Sequence, residues 1–158
     1  MLPYERWFVV VVNEQDVQQL KDVALITAVA VRYCSALDTR NWDALEECFT
    51  PDVSADYAGH GLLAGLSAVQ KACRDALEPL AVSQHLLGNH QVAVDGDAAT
   101  HECYFQAQHI RPETPGGCSY LVAGRYRDRL TRQQDGWRIR HRELQVLWTT
   151  GNPAVLSN

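Results

Sequence analysis

Four long strand-forming segments in the second half of the chain constrain its fold more than any other feature. The predicted strands cover residues 83–94, 98–110, 119–132 and 137–148. Short connections separate them: an Asp-Gly-Asp hairpin signal, the flexible loop PETPGG and a turn at residues 133–136. Strands in such close succession predict an antiparallel sheet.

The first half of the chain has helical spacing instead. We predict helices at residues 13–38, 41–49 and 67–78, and one strand at residues 53–57. The first helix begins at Asn13, and its apolar face is predicted to contain Leu20, Val23, Ala24, Ala30 and Val31. Helices segregated ahead of a run of antiparallel strands predict an α+β domain, with a curved sheet folded over the helices.

A chain of 158 residues suits one domain that can enclose a small pocket. We expect an N-terminal arm at residues 1–12, a single domain at 13–150 and a C-terminal tail at 151–158. The arm contains the apolar run WFVVVV, which is too short for a membrane span or a signal core. Its role stays open between a short strand and an arm packed on a neighbouring subunit.

Charge and cysteine content exclude several classes of protein. The net charge of −5 argues against a nucleic-acid partner, and the alternating Arg125, Arg127 and Arg129 predict a solvated sheet face. Five cysteines without a CxxC spacing indicate neither a disulfide framework nor a zinc site, so we expect a reduced, cytoplasmic protein without a membrane partner. The six histidines show no HxH, HxxxH or HExxH spacing, so no metal site is expected.

An acid and a histidine form the candidate catalytic pair. Asp38 directly follows Ala36 and Leu37, so its carboxylate could point into an apolar interior, where only a paired charge is tolerated. His85 is the best candidate partner. A histidine, with an ordinary pKa of about 6.5, is the usual base for a carbon-bound proton, and a carboxylate on its other nitrogen fixes the tautomer. The simpler alternatives are a helix-end turn residue for Asp38 and a core histidine for His85.

The chain resembles the SnoaL-like family of the nuclear transport factor 2 superfamily. The segments that carry the resemblance are RYCSALDTRNWDAL, CFTPDV, HGLLAGLSAV, SQHLLGNHQVAVDGDAA and GRYRDRLTRQQDGWRIRHRELQVLW, in that order. The resemblance implies a cone-shaped α+β barrel whose mouth holds a small molecule. It also implies catalysis without a metal or cofactor, as in the bile-acid dehydratase, hexachlorocyclohexane dehydrochlorinase and, more distantly, scytalone dehydratase of this group.

The resemblance assigns roles to four residues. Asp38 and His85 correspond to a catalytic dyad, Tyr33 to a catalytic tyrosine of the dehydratase type only, and Arg142 to an arginine of the last strand. Arg142 could hold a substrate anion, or it could equally pair with an acid such as Asp128 across the sheet. Further predicted pocket residues are Trp42, Tyr57, Asn89, His101 and Trp148, and apolar walls are expected from Leu37, Trp42, Tyr57, Leu86 and Trp148.

These observations predict a cofactor-independent lyase of the dehydratase type that acts on a hydrophobic, cyclic small molecule. An isomerase or cyclase that uses the same base is the alternative within the enzymes, and a small-molecule-binding or accessory subunit is the alternative outside them. The apolar arm and the convex sheet face both need cover, so a homo-oligomer is expected. The sequence does not choose between dimer and trimer.

Overall fold

The computed structural model describes residues 13–58 and 61–157. The N-terminal arm predicted for residues 1–12 lies outside the described residues, as does His60. The elements are α1 (Glu14–Asp38), a short 3₁₀ helix (Trp42–Glu47), β1 (Phe49–Tyr57), β2 (Gly61–Ala64), α2 (Leu66–Leu77), β3 (Val82–Asp95), β4 (Ala98–Ile110), β5 (Ser119–Gln133), β6 (Gly136–Gly151) and a second 3₁₀ helix (Pro153–Leu156).

The six strands form one mixed sheet in the order β2-β1-β6-β5-β4-β3. β1 runs parallel to β6, and every other neighbouring pair is antiparallel. The predicted α+β class is confirmed, since α1 and α2 both pack on this sheet. The cone is not closed into a barrel, because β2 and β3 are two edges that do not pair with each other.

Helix α1 begins and ends where the sequence predicts. Asn13 and Asp16 form a capping box, in which the Asn13 Oδ1 accepts from the Asp16 amide at 2.9 Å and the Asp16 carboxylate accepts from the Asn13 amide at 3.0 Å. The helix then runs to Asp38. Its C-terminal end therefore carries the candidate catalytic acid.

The predicted apolar face of α1 is wrong at three positions, because Leu20 is 66% and Val31 is 49% exposed, and Ala24 is exposed as well. The buried face instead includes Asp22. The Asp22 carboxylate accepts from both terminal nitrogens of Arg132, at 2.7 and 2.9 Å, and from the Trp137 indole at 2.9 Å. Because this acid is buried, the face of α1 that packs on the sheet differs from the face that apolar spacing alone indicates.

The predicted helix at residues 41–49 is shorter and is followed directly by a strand. The 3₁₀ helix ends at Glu47, and Phe49 already belongs to β1. Pro51, a residue type that usually ends a helix, lies within β1. The pairing of β1 with β6 is interrupted between Phe49 and Ser54, so the missing proline N–H costs no regular ladder bond there.

The C-terminal residues add to the core. β6 continues past the predicted end at Trp148 to Gly151, and the second 3₁₀ helix buries Val155 completely. Residues 151–158, which the sequence assigns to a tail, thus include one core side chain. Within residues 13–58 and 61–157, no helix has the length and apolar character needed to cross a membrane.

Cross-strand pairing sorts the side chains of β3 to β6 into an inner face toward the helices and an outer face, since directly opposite residues share a face. One inner row contains His85, Ala107, Val122 and Thr149. The adjacent outer row contains Leu86, Gln106, Ala123 and Trp148. Because β-strand neighbours alternate, this register decides which predicted site residues face the interior of the cone.

Candidate active site

A cavity of about 300 Å³ lies between the helices and the inner face of the sheet. Most of the side chains that line it are apolar or aromatic, and the polar ones are two histidines, four tyrosines and a threonine. Prominent lining residues are Tyr33, Leu37, Tyr57, Cys73, His85, Phe105, His109, Tyr120, Val122, Tyr126, Leu144 and Thr149. No Asp, Glu, Lys or Arg is among the described residues that line it, so the cavity suits an uncharged molecule.

Asp38 and His85 contact each other at the edge of this cavity. The His85 Nδ1 lies 2.6 Å from the Asp38 Oδ1, and the His85 backbone amide donates to the other carboxylate oxygen at 2.8 Å. A carboxylate can only accept, so Nδ1 carries the proton and Nε2 of the neutral ring is left as a base. The Asp38 carboxylate lies behind the ring, and the imidazole lines the cavity.

Two neighbouring side chains hold Asp38 in this position. The Ser83 hydroxyl donates to the Asp38 Oδ1 at 3.2 Å, and Arg40 donates to the Ser83 Oγ at 2.7 Å. Arg40 has a positive φ of 59°, and it also donates to the Leu37 carbonyl at 2.6 Å. The turn after α1 is thus tied to the start of β3, which fixes the acid relative to the histidine.

Hydrogen bonding keeps the Asp38 carboxyl ionised. Burial acts to raise the pKa of Asp38, but the hydrogen bonds from the His85 ring, the His85 amide and Ser83 outweigh it, and the pKa is lowered overall. A carboxylate that is charged at neutral pH stabilises an imidazolium beside it. The pair can therefore accept a proton from a bound molecule at low cost.

A second histidine, which the sequence analysis did not single out, also lines the cavity. The His109 Nδ1 donates to the Tyr120 carbonyl at 3.2 Å, and its ring lies edge-on to that of His85 with centroids 6.2 Å apart. Burial, with help from the nearby His85, lowers the pKa of His109 to about 4. His109 is therefore neutral at pH 7. The alternation of Cys103, Phe105, Ala107 and His109 along β4 was the signal that could have found it.

Two tyrosine hydroxyls form a hydrogen-bonded pair in the cavity wall. The Tyr33 and Tyr57 oxygens lie 3.0 Å apart, and both rings line the cavity. Burial raises the pKa of each phenol above its ordinary value, so both keep their protons. In such a pair one hydroxyl donates to the other, and the second proton is free to be donated to a bound oxygen.

Arg142 is placed behind the cavity wall and not in it. It is completely buried, and it forms a two-pronged ion pair with Asp128, with both N···O distances at 2.7 Å. Its guanidinium carbon lies 4.2 Å from the centre of the Tyr33 ring and 4.4 Å from that of Tyr126. It does not line the cavity, so it supports the aromatic wall instead of holding a substrate anion there.

Several other predicted pocket residues are also placed away from the cavity. The Trp42 indole is buried and donates to the Glu78 carboxylate at 3.0 Å. Trp148 is 49% exposed on the outer face, because pairing with β5 shifts register between Ala123 and Gly124 and reverses the alternation beyond that point. Leu86, at 60% exposed, lies on the outer face because it directly follows the inward His85.

The last two predicted residues, Asn89 and His101, also lie away from the cavity. Asn89 is exposed and has a positive φ of 55° in a bulge of β3, so it does not continue the face of His85 and Leu87. His101 is buried on the inner face, where its Nδ1 donates to Asp128 at 3.1 Å. Neither lines the cavity of His85.

Known proteins share the fold of this chain, and a family model matches most of its length. A model of the SnoaL-like domain matches residues 18–143. The protein Rv2910c of Mycobacterium tuberculosis is 34% identical over 129 residues, which are 78% of this chain and 84% of that protein.

Solved structures share the architecture at lower identity. The hexachlorocyclohexane dehydrochlorinase LinA-type3 from Novosphingobium barchaimii has a TM-score of 0.76 and 17% identity, over 87% of this chain and 94% of that one. A nuclear transport factor 2-like superfamily protein from Salmonella enterica has a TM-score of 0.73 and 20% identity, over 85% of this chain and 97% of that one. The resemblance that the sequence predicts is confirmed at the level of family and fold.

Proposed function

Since this chain belongs to the SnoaL-like domain family, we propose that it is a lyase that eliminates water from a hydrophobic, cyclic small molecule. His85 is the general base, Asp38 orients it, and the Tyr33 and Tyr57 pair is the proton donor. The observation that carries the proposal is the 2.6 Å contact between the His85 Nδ1 and Asp38, on a ring that lines the cavity. The fold shared with LinA-type3, which is named a dehydrochlorinase, agrees with elimination chemistry.

The proposed step balances with these groups alone. The His85 Nε2 takes a proton from carbon, the electrons of that C–H bond form the new double bond, and the C–O bond of the neighbouring carbon breaks. Departing hydroxide takes a proton directly from the newly formed imidazolium, or from Tyr33, which then regains one from the imidazolium, and it leaves as water. A base positioned in this way contributes about 10²–10⁴-fold in rate.

The substrate class follows from the cavity wall. Phe105, Tyr126, Val122 and Leu144 offer apolar and aromatic surface, which favours a hydrophobic ring system. Charged side chains are absent from the described lining, so a carboxylate or phosphate on the substrate would find no partner there. A cyclic β-hydroxy ketone has these properties, because its carbonyl acidifies the adjacent C–H bond and its hydroxyl is the leaving group that the tyrosine pair protonates.

The test is a panel of cyclic ketones and β-hydroxy ketones in D₂O, followed by proton NMR. We expect enzyme-dependent exchange of the acidic C–H and, with the β-hydroxy compounds, appearance of the conjugated alkene. His85→Gln should lose activity by about 10²–10⁴-fold. His141→Gln is the matched control, because His141 bonds to the Ser54 hydroxyl at 2.8 Å and does not line the cavity. Unchanged activity in His85→Gln would refute the proposal.

The same experiment separates two alternatives. An isomerase returns the proton to another carbon, which the uncharged tyrosine pair and neutral His109 would permit, and it would yield a rearranged product without release of water. A binding or accessory protein would show neither exchange nor elimination with any member of the panel. It would still bind these compounds with equal affinity in the wild type and in His85→Gln.

A further inference from the structure

Three metal-ligating side chains meet on the inner face of the sheet, at a place separate from the cavity of His85. His101 and Cys103 are two residues apart on β4, and His90 lies on the neighbouring β3. One nitrogen of each histidine and the Cys103 sulfur all lie within 4.8 Å of one another. Over residues 13–58 and 61–157, this is the group of three His, Cys, Asp or Glu side chains that comes close enough to share one ion.

A β-bulge turns His90 toward the other two residues. Gly88 pairs with Tyr104 and Gln91 with Glu102, so that two residues of β3, Asn89 and His90, stand opposite Cys103 alone. In a regular strand His90 would share the outer face with Leu86. The bulge, with its positive φ of 55° at Asn89, directs His90 inward instead. Bulges often re-aim a side chain in this way beside functional sites.

His101 is already oriented as a ligand. Its Nδ1 donates to Asp128 at 3.1 Å, which leaves Nε2 facing the His90 Nδ1 at 2.9 Å. The two rings are stacked, with centroids 5.2 Å apart and planes 21° from parallel. A carboxylate on the far nitrogen is the usual partner of a metal-bound histidine, because it fixes the tautomer and makes the other nitrogen a stronger ligand.

Cys103 supplies the third donor. It is 1% exposed, and its thiol makes no hydrogen bond to the described residues, although thiols elsewhere in the core do so. His101 is 2% exposed, whereas His90 is half-buried. An ion could therefore reach the two buried donors past His90.

We propose that the Nδ1 of His90, the Nε2 of His101 and the Sγ of Cys103 bind one Zn²⁺ ion, with water as the fourth ligand. Two imidazoles and a thiolate are ligands that Zn²⁺ prefers, in tetrahedral geometry. Two nitrogens at Zn–N distances of 2.0–2.1 Å are about 3.3 Å apart, so the present separation must widen by roughly 0.4 Å. The half-buried His90 can move that far, and the thiol proton passes to solvent when the ion binds.

The site adjoins the polar core without being part of the proposed catalytic pair. Asp128 accepts from His101 on one side and from Arg142 on the other, and Arg142 stacks on Tyr33. An ion at His101 would thus strengthen the chain of contacts behind the cavity wall. The proposal does not depend on His85 or on the proposed lyase activity.

Cobalt titration tests the site directly. The full chain without a histidine tag is treated with a chelator, dialysed and titrated with Co²⁺, which replaces Zn²⁺ in such sites and is coloured. We expect saturation at one equivalent, with the ultraviolet charge-transfer band of a cobalt thiolate and the intense visible bands of tetrahedral cobalt. Added Zn²⁺ should remove both.

Variants of the candidate ligands show which residues bind the Co²⁺ ion. His90→Gln should weaken Co²⁺ binding at least tenfold, and Cys103→Ser should abolish the thiolate band. His141→Gln and Cys118→Ser are matched controls, since Cys118 is an exposed thiol, and both should titrate as the wild type does. His90 is half-buried, so its variant stays informative if the buried Cys103→Ser does not fold, as judged by circular dichroism.

Three results would overturn the proposal. The first is the absence of a thiolate band in the folded wild type. The second is an unchanged Co²⁺ affinity in His90→Gln. The hydrogen bond between His90 and His101 would then only stabilise the fold, and His90 would not be a ligand. The third is loss of the band in Cys118→Ser, which would place the thiolate ligand at the exposed cysteine.

Discussion

His109 shows how burial sets the protonation of a single residue beside the reacting groups. It lies in the same cavity as His85, but its Nδ1 is bonded to a neutral carbonyl and not to a carboxylate. Burial, with the nearby His85, therefore outweighs the opposing effects of the Tyr120 carbonyl and Asp38 and lowers the pKa of His109 to about 4. At neutral pH its free nitrogen can accept a hydrogen bond from a substrate hydroxyl, and it is a weaker base than an ordinary imidazole.

This depressed pKa predicts a pH dependence of stability. In the unfolded chain His109 binds a proton below about pH 6.5, whereas in the folded protein it does so only near pH 4. The free energy of unfolding should therefore fall as the pH is lowered from 6.5 to 4, by on the order of 2–3 kcal/mol from this residue. Chemical denaturation of the wild type and of His109→Phe at several pH values measures it.

The His109→Phe variant tests whether this residue causes the pH dependence of stability. Its stability should depend less on pH in this window than that of the wild type, because phenylalanine does not titrate. His141→Gln serves as control. Its free energy of unfolding should vary with pH as steeply as that of the wild type, because His109 is retained. Equal slopes for the wild type and His109→Phe would show that His109 is not held neutral by the fold.

The sequence predicts those site residues whose position depends on alternation within one regular segment. Tyr33 and His85 line the cavity, and Asp38 meets His85, because α1 is regular up to Asp38 and β3 is regular as far as Gly88. Asn89 lies within a register shift of β3, and Trp148 lies beyond one in β6. A bulge changes the face of every later residue, and no local pattern in the sequence revealed these two.

At the scale of elements, α1 is fixed to the sheet at both of its ends. Asp38 joins its C-terminal end to β3, and Asp22 joins its N-terminal half to β5 and β6 through Arg132 and Trp137. Apolar spacing predicted the helix but not its rotation, because the buried Asp22 interacts with residues more than one hundred positions away. Contacts between distant segments of this kind leave no periodic signal.

Asp22→Asn tests the second attachment. The amide keeps the size of the side chain but loses two charge-assisted hydrogen bonds from Arg132, so the free energy of unfolding should fall by on the order of 3 kcal/mol. Urea denaturation measures the difference. Asp75→Asn is the control, because Asp75 is exposed and pairs with the exposed Lys71 on the same helix; its change should stay below about 0.5 kcal/mol. A loss of equal size in both variants would contradict this account of α1.

At the scale of the whole molecule, the outer face of the sheet carries apolar side chains that the described fold leaves uncovered. Leu86 and Trp148 lie in one cross-strand row and are 60% and 49% exposed, and Tyr104 of a neighbouring row is 44% exposed. Such a surface favours association, so the homo-oligomer expected from the sequence remains our proposal, with this face as the contact. A second copy of the chain would cover it.

Trp148→Asp should separate the subunits. Light scattering after gel filtration should give a multiple of 17.7 kDa for the wild type and a mass near 17.7 kDa for the variant. Leu20→Asp is the control, since Leu20 is 66% exposed on α1, and its mass should equal that of the wild type. A wild type of single-chain mass, or a Trp148→Asp variant of unchanged mass, would exclude this face as a contact.

The central claim is that Asp38 holds the His85 ring with its Nδ1 protonated and its Nε2 free to act as a base. Long-range ¹H–¹⁵N correlation spectra of ¹⁵N-labelled protein at about pH 8, where an ordinary imidazole is neutral, report the tautomer of each histidine. Comparison with His85→Gln assigns the signals. We predict a single tautomer of His85 with the proton on Nδ1, which is lost in Asp38→Ala. A His85 ring protonated on Nε2 in the wild type, or one that averages freely between the two tautomers, would contradict the account.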